Sequence, residues 1–165
     1  MGPPFEWSGE LRFAGVASDS IPTSELKEAL KSELARHQAN EIEAAHDGVV
    51  FTAGPLRFVA SFNALVAIDH GKVWIDQSAP DLVLKYKLSF VHVIVIASAV
   101  LLAIFFMEVF VTRDFTLKQA GLPMLVLWVW LCGGNLALGI YRFRSLLRHA
   151  LVPALARRRT SPPRL

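Results

Sequence analysis

The sequence predicts an α+β N-terminal domain followed by a two-helix transmembrane hairpin. Three observations lead to this fold class: a helical pattern followed by alternating apolar runs, two long stretches almost without charge, and an arginine-rich end. They divide the 165 residues into a cytoplasmic domain (1–86, the head), a hairpin (87–141) and a basic cytoplasmic tail (142–165).

One amphipathic helix is expected in the head, over Ser24–Gln38. Leu26, Leu30 and Leu34 recur every four residues and form one apolar stripe, while charged residues occupy many of the other positions. Thr23 precedes the helix and is expected to act as its N-cap. We therefore expect this helix to cover one face of a sheet.

Short alternating apolar runs separated by turn residues predict an antiparallel meander of four to five strands. The expected strands are Leu11–Val16, Val49–Thr52, Leu56–Phe62 with its continuation Leu65–Ile68, Val73–Ile75 and Leu82–Tyr86. No linker separates the last strand from the first apolar stretch, so the sheet should stand stiffly against the membrane surface.

Two apolar stretches are long enough to cross a bilayer. Among Lys, Arg, His, Asp and Glu, Leu88–Met107 holds only His92, and Ala120–Tyr141 holds none. At about 1.5 Å per residue, twenty helical residues span about 30 Å, the thickness of a hydrocarbon core. The predicted helices are 88–111 and 120–141, and the short connector makes them antiparallel neighbours.

Charge asymmetry predicts the orientation. The head carries a net charge of −5, residues 87–141 carry +1, and the tail carries +7 with no acidic residue. Basic residues are enriched in cytoplasmic loops, so both termini are expected in the cytoplasm. With no targeting signal at the N-terminus, the expected location is the plasma membrane of a bacterium (the inner membrane).

Small and polar residues within the apolar stretches are candidates for helix packing. These residues are Gly133, Gly134, Asn135 and Ala137 in the second helix and Ser98, Ala99 and Ala103 in the first. Small residues let helices approach closely, and polar side chains hydrogen-bond between them. The contact could lie within the hairpin or between copies. An ion path along Asn135 and Ser98 is the alternative, although so few polar groups line a pore only in an assembly of copies.

Six of the seven arginines of the tail are candidates for contact with anionic lipid. They are Arg142, Arg144, Arg148, Arg157, Arg158 and Arg159. Leu147, Leu151 and Leu155 would then lie against the headgroup boundary, and Pro153 would interrupt the helix. Two alternatives remain: the arginines only set the topology, or the tail docks on the acidic head.

No motif in the sequence predicts a catalytic, metal or cofactor site. The five histidines and single cysteine lack the spacing of metal ligands. No nucleophile elbow, P-loop or dinucleotide-binding motif is present. The acidic head argues against a nucleic-acid partner.

The leading functional hypothesis is a non-enzymatic accessory, anchoring or scaffold component of a membrane complex, which binds membrane lipids and either a protein partner or copies of itself. The alternative is an oligomeric effector or channel subunit gated through its cytoplasmic domain. An enzyme acting on lipid is a more distant alternative, because it requires a pocket with convergent polar groups.

Overall fold

The computed structural model describes residues 5–18, 21–53, 63–76, 78–112 and 117–160. The strands are β1 (Glu6–Ala17), β2 (Glu41–Ala44), β3 (Gly48–Thr52), β4 (His70–Asp76) and β5 (Asp81–Ser89). The helices are α1 (Thr23–Arg36), α2 (Val91–Phe106) and α3 (Leu117–Thr160), and a π-helical segment, Met107–Thr112, continues α2.

The five strands form one antiparallel sheet in the order β1-β5-β4-β3-β2. β5 shows the alternation that builds it: Leu84 and Tyr86 are buried on one face, while Lys85 and Lys87 lie on the other. The predicted antiparallel sheet with one helix is confirmed, and β1 joins its edge as expected.

One face of the sheet is covered by α1 and by the C-terminal half of α3. Leu26, Leu30 and Leu34 of α1 are fully buried, which confirms the predicted stripe. Five buried residues from the C-terminal half of α3 belong to the same core: Phe143, Leu146, Leu147, Ala150 and Leu151. The core of the head therefore contains residues from both ends of the chain.

Two details of the expected head are wrong, and one lies outside the described residues. Leu65–Ile68 forms a turn rather than a strand, because the Asn63 side chain accepts a hydrogen bond from the Leu65 N–H at 2.9 Å. Helix α1 begins at Thr23 itself, with Pro22 at the cap position. The expected strand Leu56–Phe62 falls in the undescribed range 54–62.

The helices after the sheet also differ from expectation. Strand β5 continues to Ser89, so α2 begins at Val91 instead of Leu88, because Leu88 still pairs with Trp7 of β1. Helix α3 runs for 44 residues without a break. The expected interruption at Pro153 is wrong, since buried Leu151 and partly buried Leu155 hold both sides of the proline against the core.

Helices α2 and α3 are long and apolar enough, by length and composition, to cross a membrane. Gly139 of α3 lies beside Phe90, directly before α2, and a Cβ at position 139 would lie 3.1 Å from the Phe90 ring. The stretch Leu117–Gly139 therefore runs beside α2. Beyond this level α3 packs on the head.

Replacing Phe143 tests the role of α3 in the head core. We expect Phe143→Ala to lower the free energy of unfolding of the head by about 3–5 kcal/mol, because it leaves a cavity between the sheet and α3. Denaturant unfolding in detergent micelles would measure the loss. Tyr141→Ala is the matched control, since Tyr141 is 73% exposed. Equal stability of the two variants would contradict this packing.

Candidate functional site

The candidate site is the junction where α2 and α3 meet the sheet. Its centre is an aromatic cluster formed by one residue from each of three elements. The Phe143 ring of α3 stacks on Phe51 of β3 at a centroid distance of 5.7 Å and meets Tyr86 of β5 edge-on at 5.6 Å. All three side chains are at most 1% exposed. Such pairs add stability beyond their area burial, so α3 is fixed to two strands at once.

A polar contact extends this cluster to the edge of the sheet. Arg144 Nε donates a hydrogen bond to the Tyr86 hydroxyl at 2.8 Å, and Arg144 Nη2 donates to the Glu10 carbonyl oxygen at 3.3 Å. The Arg144 side chain also lies over the Tyr86 ring. Gly9 makes room for the Tyr86 hydroxyl, because a Cβ at that position would collide with it. One arginine thus joins α3, β5 and β1.

A second contact fixes the start of α2. The Asp69 carboxylate is nearly buried at 8% exposure. It accepts a hydrogen bond from the His92 backbone N–H at 3.0 Å, and its other oxygen lies 2.9 Å from His92 Nδ1. Backbone N–H groups in the first turn of a helix lack partners within the helix. Asp69, directly before β4, therefore caps α2 from the sheet.

The opposite face of the sheet is polar and carries paired charges. The ion pairs are Lys85–Asp76, Lys72–Asp47 and Lys87–Glu6. Hydrogen bonds from Lys85 and then from Ser78 lower the pKa of Asp76 to about 2. Exposed pairs contribute little stability. The charged composition of this face is therefore compatible with contact with water.

The residues predicted to pack helices separate into two groups. The Ser98 hydroxyl accepts a hydrogen bond from Trp128 Nε1 at 2.8 Å, so it joins the two helices of the hairpin. The others are exposed on the helices: Gly133, Gly134, Asn135, Ala137, Ala99 and Ala103. Asn135 donates its amide to the Leu131 carbonyl of its own helix at 2.6 Å. Within the single chain, the small residues of α3 do not form the hairpin contact.

The predicted tail is the last part of α3. Leu147 and Leu151 are fully buried in the head core, so their expected position at the headgroup boundary is wrong. Arg144 contacts the head, Arg148 is exposed, and Arg142 is partly buried. The helix includes Arg157, Arg158 and Arg159, whose side chains lie outside the description. Docking of the tail on the head, one of the three alternatives, agrees with this arrangement.

The structure adds residues that the sequence did not single out. These residues are Asp69, Tyr86 and Phe143. The apolar residues Phe143, Leu147 and Leu151 recur at every fourth position, and this pattern was the available signal. It indicates an apolar stripe without indicating what the stripe contacts.

Within the described residues, no group of three or more His, Cys, Asp or Glu side chains is placed to bind a metal. An open groove lies between α1 and α3. Its lining includes Glu25, Glu28, Glu33 and His149. These side chains stand on the solvated rim of two helices, which is typical of an exposed helix–helix groove rather than an enclosed ligand site.

Comparisons with known proteins give no match: no family model, curated protein or solved structure is significantly similar to this chain.

Removing the Asp69 carboxylate tests the cap of α2. We expect Asp69→Ala to speed hydrogen exchange of the His92 amide about fivefold, because the lost cap is worth about 1 kcal/mol. Amide exchange followed by NMR would measure this. Asp69→Asn keeps an acceptor oxygen, so its exchange should stay close to that of the wild type. Unchanged exchange in the alanine variant would show that the carboxylate does not hold the helix start.

Proposed function

We propose that this protein is a two-span membrane protein of the bacterial inner membrane, with both termini and the head in the cytoplasm. Its proposed role is a non-enzymatic accessory, anchoring or scaffold component of a membrane complex. The observation that carries the proposal is the continuity of α3, whose first half is apolar and exposed and whose second half is part of the head core. A single helix thus connects the membrane to the interaction domain.

The exposure of the two apolar helices supports insertion. In both helices, only 11% of the most apolar window is buried within the protein. The exposed side chains are large and apolar, as at Val100, Leu102, Leu125 and Trp130. The core helix of a soluble protein would bury such residues, whereas a bilayer core solvates them. The helices also satisfy their own backbone hydrogen bonds, as lipid requires.

The distribution of basic residues supports the cytoplasmic orientation. At the level of the head the helices are flanked by Lys85, Lys87, Arg142, Arg144 and Arg148, and α3 ends with Arg157, Arg158 and Arg159. The connector at the opposite end holds Arg113, with Lys118 at the start of α3. This excess near the head is the pattern of cytoplasmic segments.

Over Glu6–Phe13, β1 pairs with β5 on one side and with no strand of the described residues on the other, and this second edge is the proposed surface for a protein partner. Phe5 accepts a hydrogen bond from the Phe90 N–H, so odd-numbered residues of β1 bond toward β5. Even-numbered residues such as Arg12 then direct their backbone groups to this second edge, where Arg144 reaches the Glu10 carbonyl. An edge that pairs with no neighbouring strand can accept a strand from another chain.

A proline at this edge tests the partner surface. Arg12→Pro removes a backbone N–H that faces away from β5, so the sheet should persist while strand addition is blocked. We expect the variant to lose a specific crosslinked partner that the wild type retains in native membranes. Crosslinking followed by mass spectrometry would measure this.

The control Arg12→Ala changes the side chain and keeps the N–H, so it should retain the partner. Circular dichroism would confirm that both variants keep their sheet. Capture of the same partner by the proline variant would exclude this edge as the binding surface, and recovery of the lone wild-type chain under gentle crosslinking would contradict the scaffold role.

A second candidate function is an oligomeric effector or channel subunit gated through the head. It is favoured by the exposed small residues of α3: a Cβ built at Gly133 or Gly134 meets nothing within 4 Å. Small residues on a lipid-facing surface favour close approach of another helix. The head, fixed to α3, would then move with it.

Gly134→Leu separates this alternative from the scaffold role. The substitution has open space within the chain, so the fold should persist while contact between copies is blocked. If the protein is an oligomeric effector, discrete oligomers and membrane permeability should both be lost, as measured by crosslinking and vesicle leakage. Gly121→Leu, also in open space on α3, is the matched control. An oligomer that survives Gly134→Leu would count against this surface.

A further inference from the structure

Two large aromatic side chains lie exposed where the sheet meets α2. Phe5 is 46% exposed and Trp7 is 48% exposed. The Phe5 carbonyl oxygen accepts a hydrogen bond from the Phe90 N–H at 3.2 Å, and Trp7 pairs with Leu88 of β5. The start of β1 is therefore held beside the last residues before α2.

The backbone at Phe5 is unusual for a bulky residue. Its φ is +81°, in a region that L-residues other than glycine rarely adopt. Such a conformation is retained where the surroundings fix it. Here it fixes the direction of the chain at the start of β1, where the head core buries neither Phe5 nor Trp7.

The register gives the height of these side chains above α2. Leu88, opposite Trp7, lies three residues before Val91, which corresponds to about 10 Å along an extended strand. Trp74, on the polar face of the sheet, lies opposite Lys85, six residues before Val91 and about 20 Å away. The two tryptophans thus stand at different distances from the apolar helix.

We propose that Phe5 and Trp7 insert into the headgroup layer of the bilayer and seat the head on the membrane. This inference depends on the proposed membrane insertion and extends it to a lipid-binding surface of the head. A tryptophan has an apolar body and a polar N–H, so the interface between hydrocarbon and water suits it better than either phase alone. Lys87, which pairs with Ser8 of β1, supplies a charged group near the level of Trp7 on the other face of the sheet.

The test uses proteins with a single tryptophan, reconstituted in vesicles of phosphatidylcholine and phosphatidylglycerol. Three of the four tryptophans are replaced by phenylalanine, which leaves Trp7, Trp74 or Trp130 as the reporter. Fluorescence is quenched by iodide in water, by lipids brominated near the headgroup, or by lipids brominated near the chain end. Circular dichroism checks that each protein keeps its fold.

We expect lipids brominated near the headgroup to quench Trp7 most strongly, iodide to quench Trp74, and lipids brominated near the chain end to quench Trp130. Trp7 emission should also shift to shorter wavelength relative to Trp74. If lipids brominated near the chain end quench Trp130 while only iodide quenches Trp7, the proposed insertion of Phe5 and Trp7 is wrong. The proposed membrane hairpin is then still supported.

Protection of Trp7 from both iodide and brominated lipid would also overturn the inference, because a protein surface would then cover it. If iodide quenches Trp130 and brominated lipids do not, the proposed membrane insertion itself fails. The reporter at position 130 therefore separates the failure of the two proposals.

Discussion

Burial of the C-terminal half of α3 against the sheet is the constraint on which the rest of the structure depends. Fully buried Phe143, Leu147 and Leu151 complete a core that α1 alone leaves open. Each such side chain contributes about 1.5–3 kcal/mol on leaving water. Arg144 adds hydrogen bonds to Tyr86 and Glu10 at the rim of this contact. Apolar burial therefore provides most of the attachment, and the arginine orients it.

The same contact removes flexibility between the head and the apolar helices. Strand β5 leads into α2 through a single residue, Phe90, and Asp69 caps that helix from the sheet. Helix α3 returns beside Phe90 at Gly139 and continues into the core. Two connections at different points prevent the head from rotating about either one. A displacement of α3 in its apolar half is therefore transmitted to the sheet.

The periodic apolar patterns of the sequence correctly predict those elements that bury only one face. The stripe of α1 and the alternation of β5 each require a single covered face, and both formed as expected. The strand over Leu65–Ile68 failed because one side-chain contact, from Asn63, turned the backbone. The stripe Phe143, Leu147 and Leu151 was visible, but an apolar stripe can face lipid or protein. Spacing alone also could not show that Gly133 and Gly134 face away from α2.

The order of synthesis gives the shared core a consequence for biogenesis. The ribosome completes β5 at Ser89 more than fifty residues before Phe143, so the nascent sheet has its α1 but lacks the second cover of its apolar face. Exposed apolar surface of this kind promotes aggregation. The newly made N-terminal half therefore keeps part of its apolar face uncovered until the final helix has been synthesised.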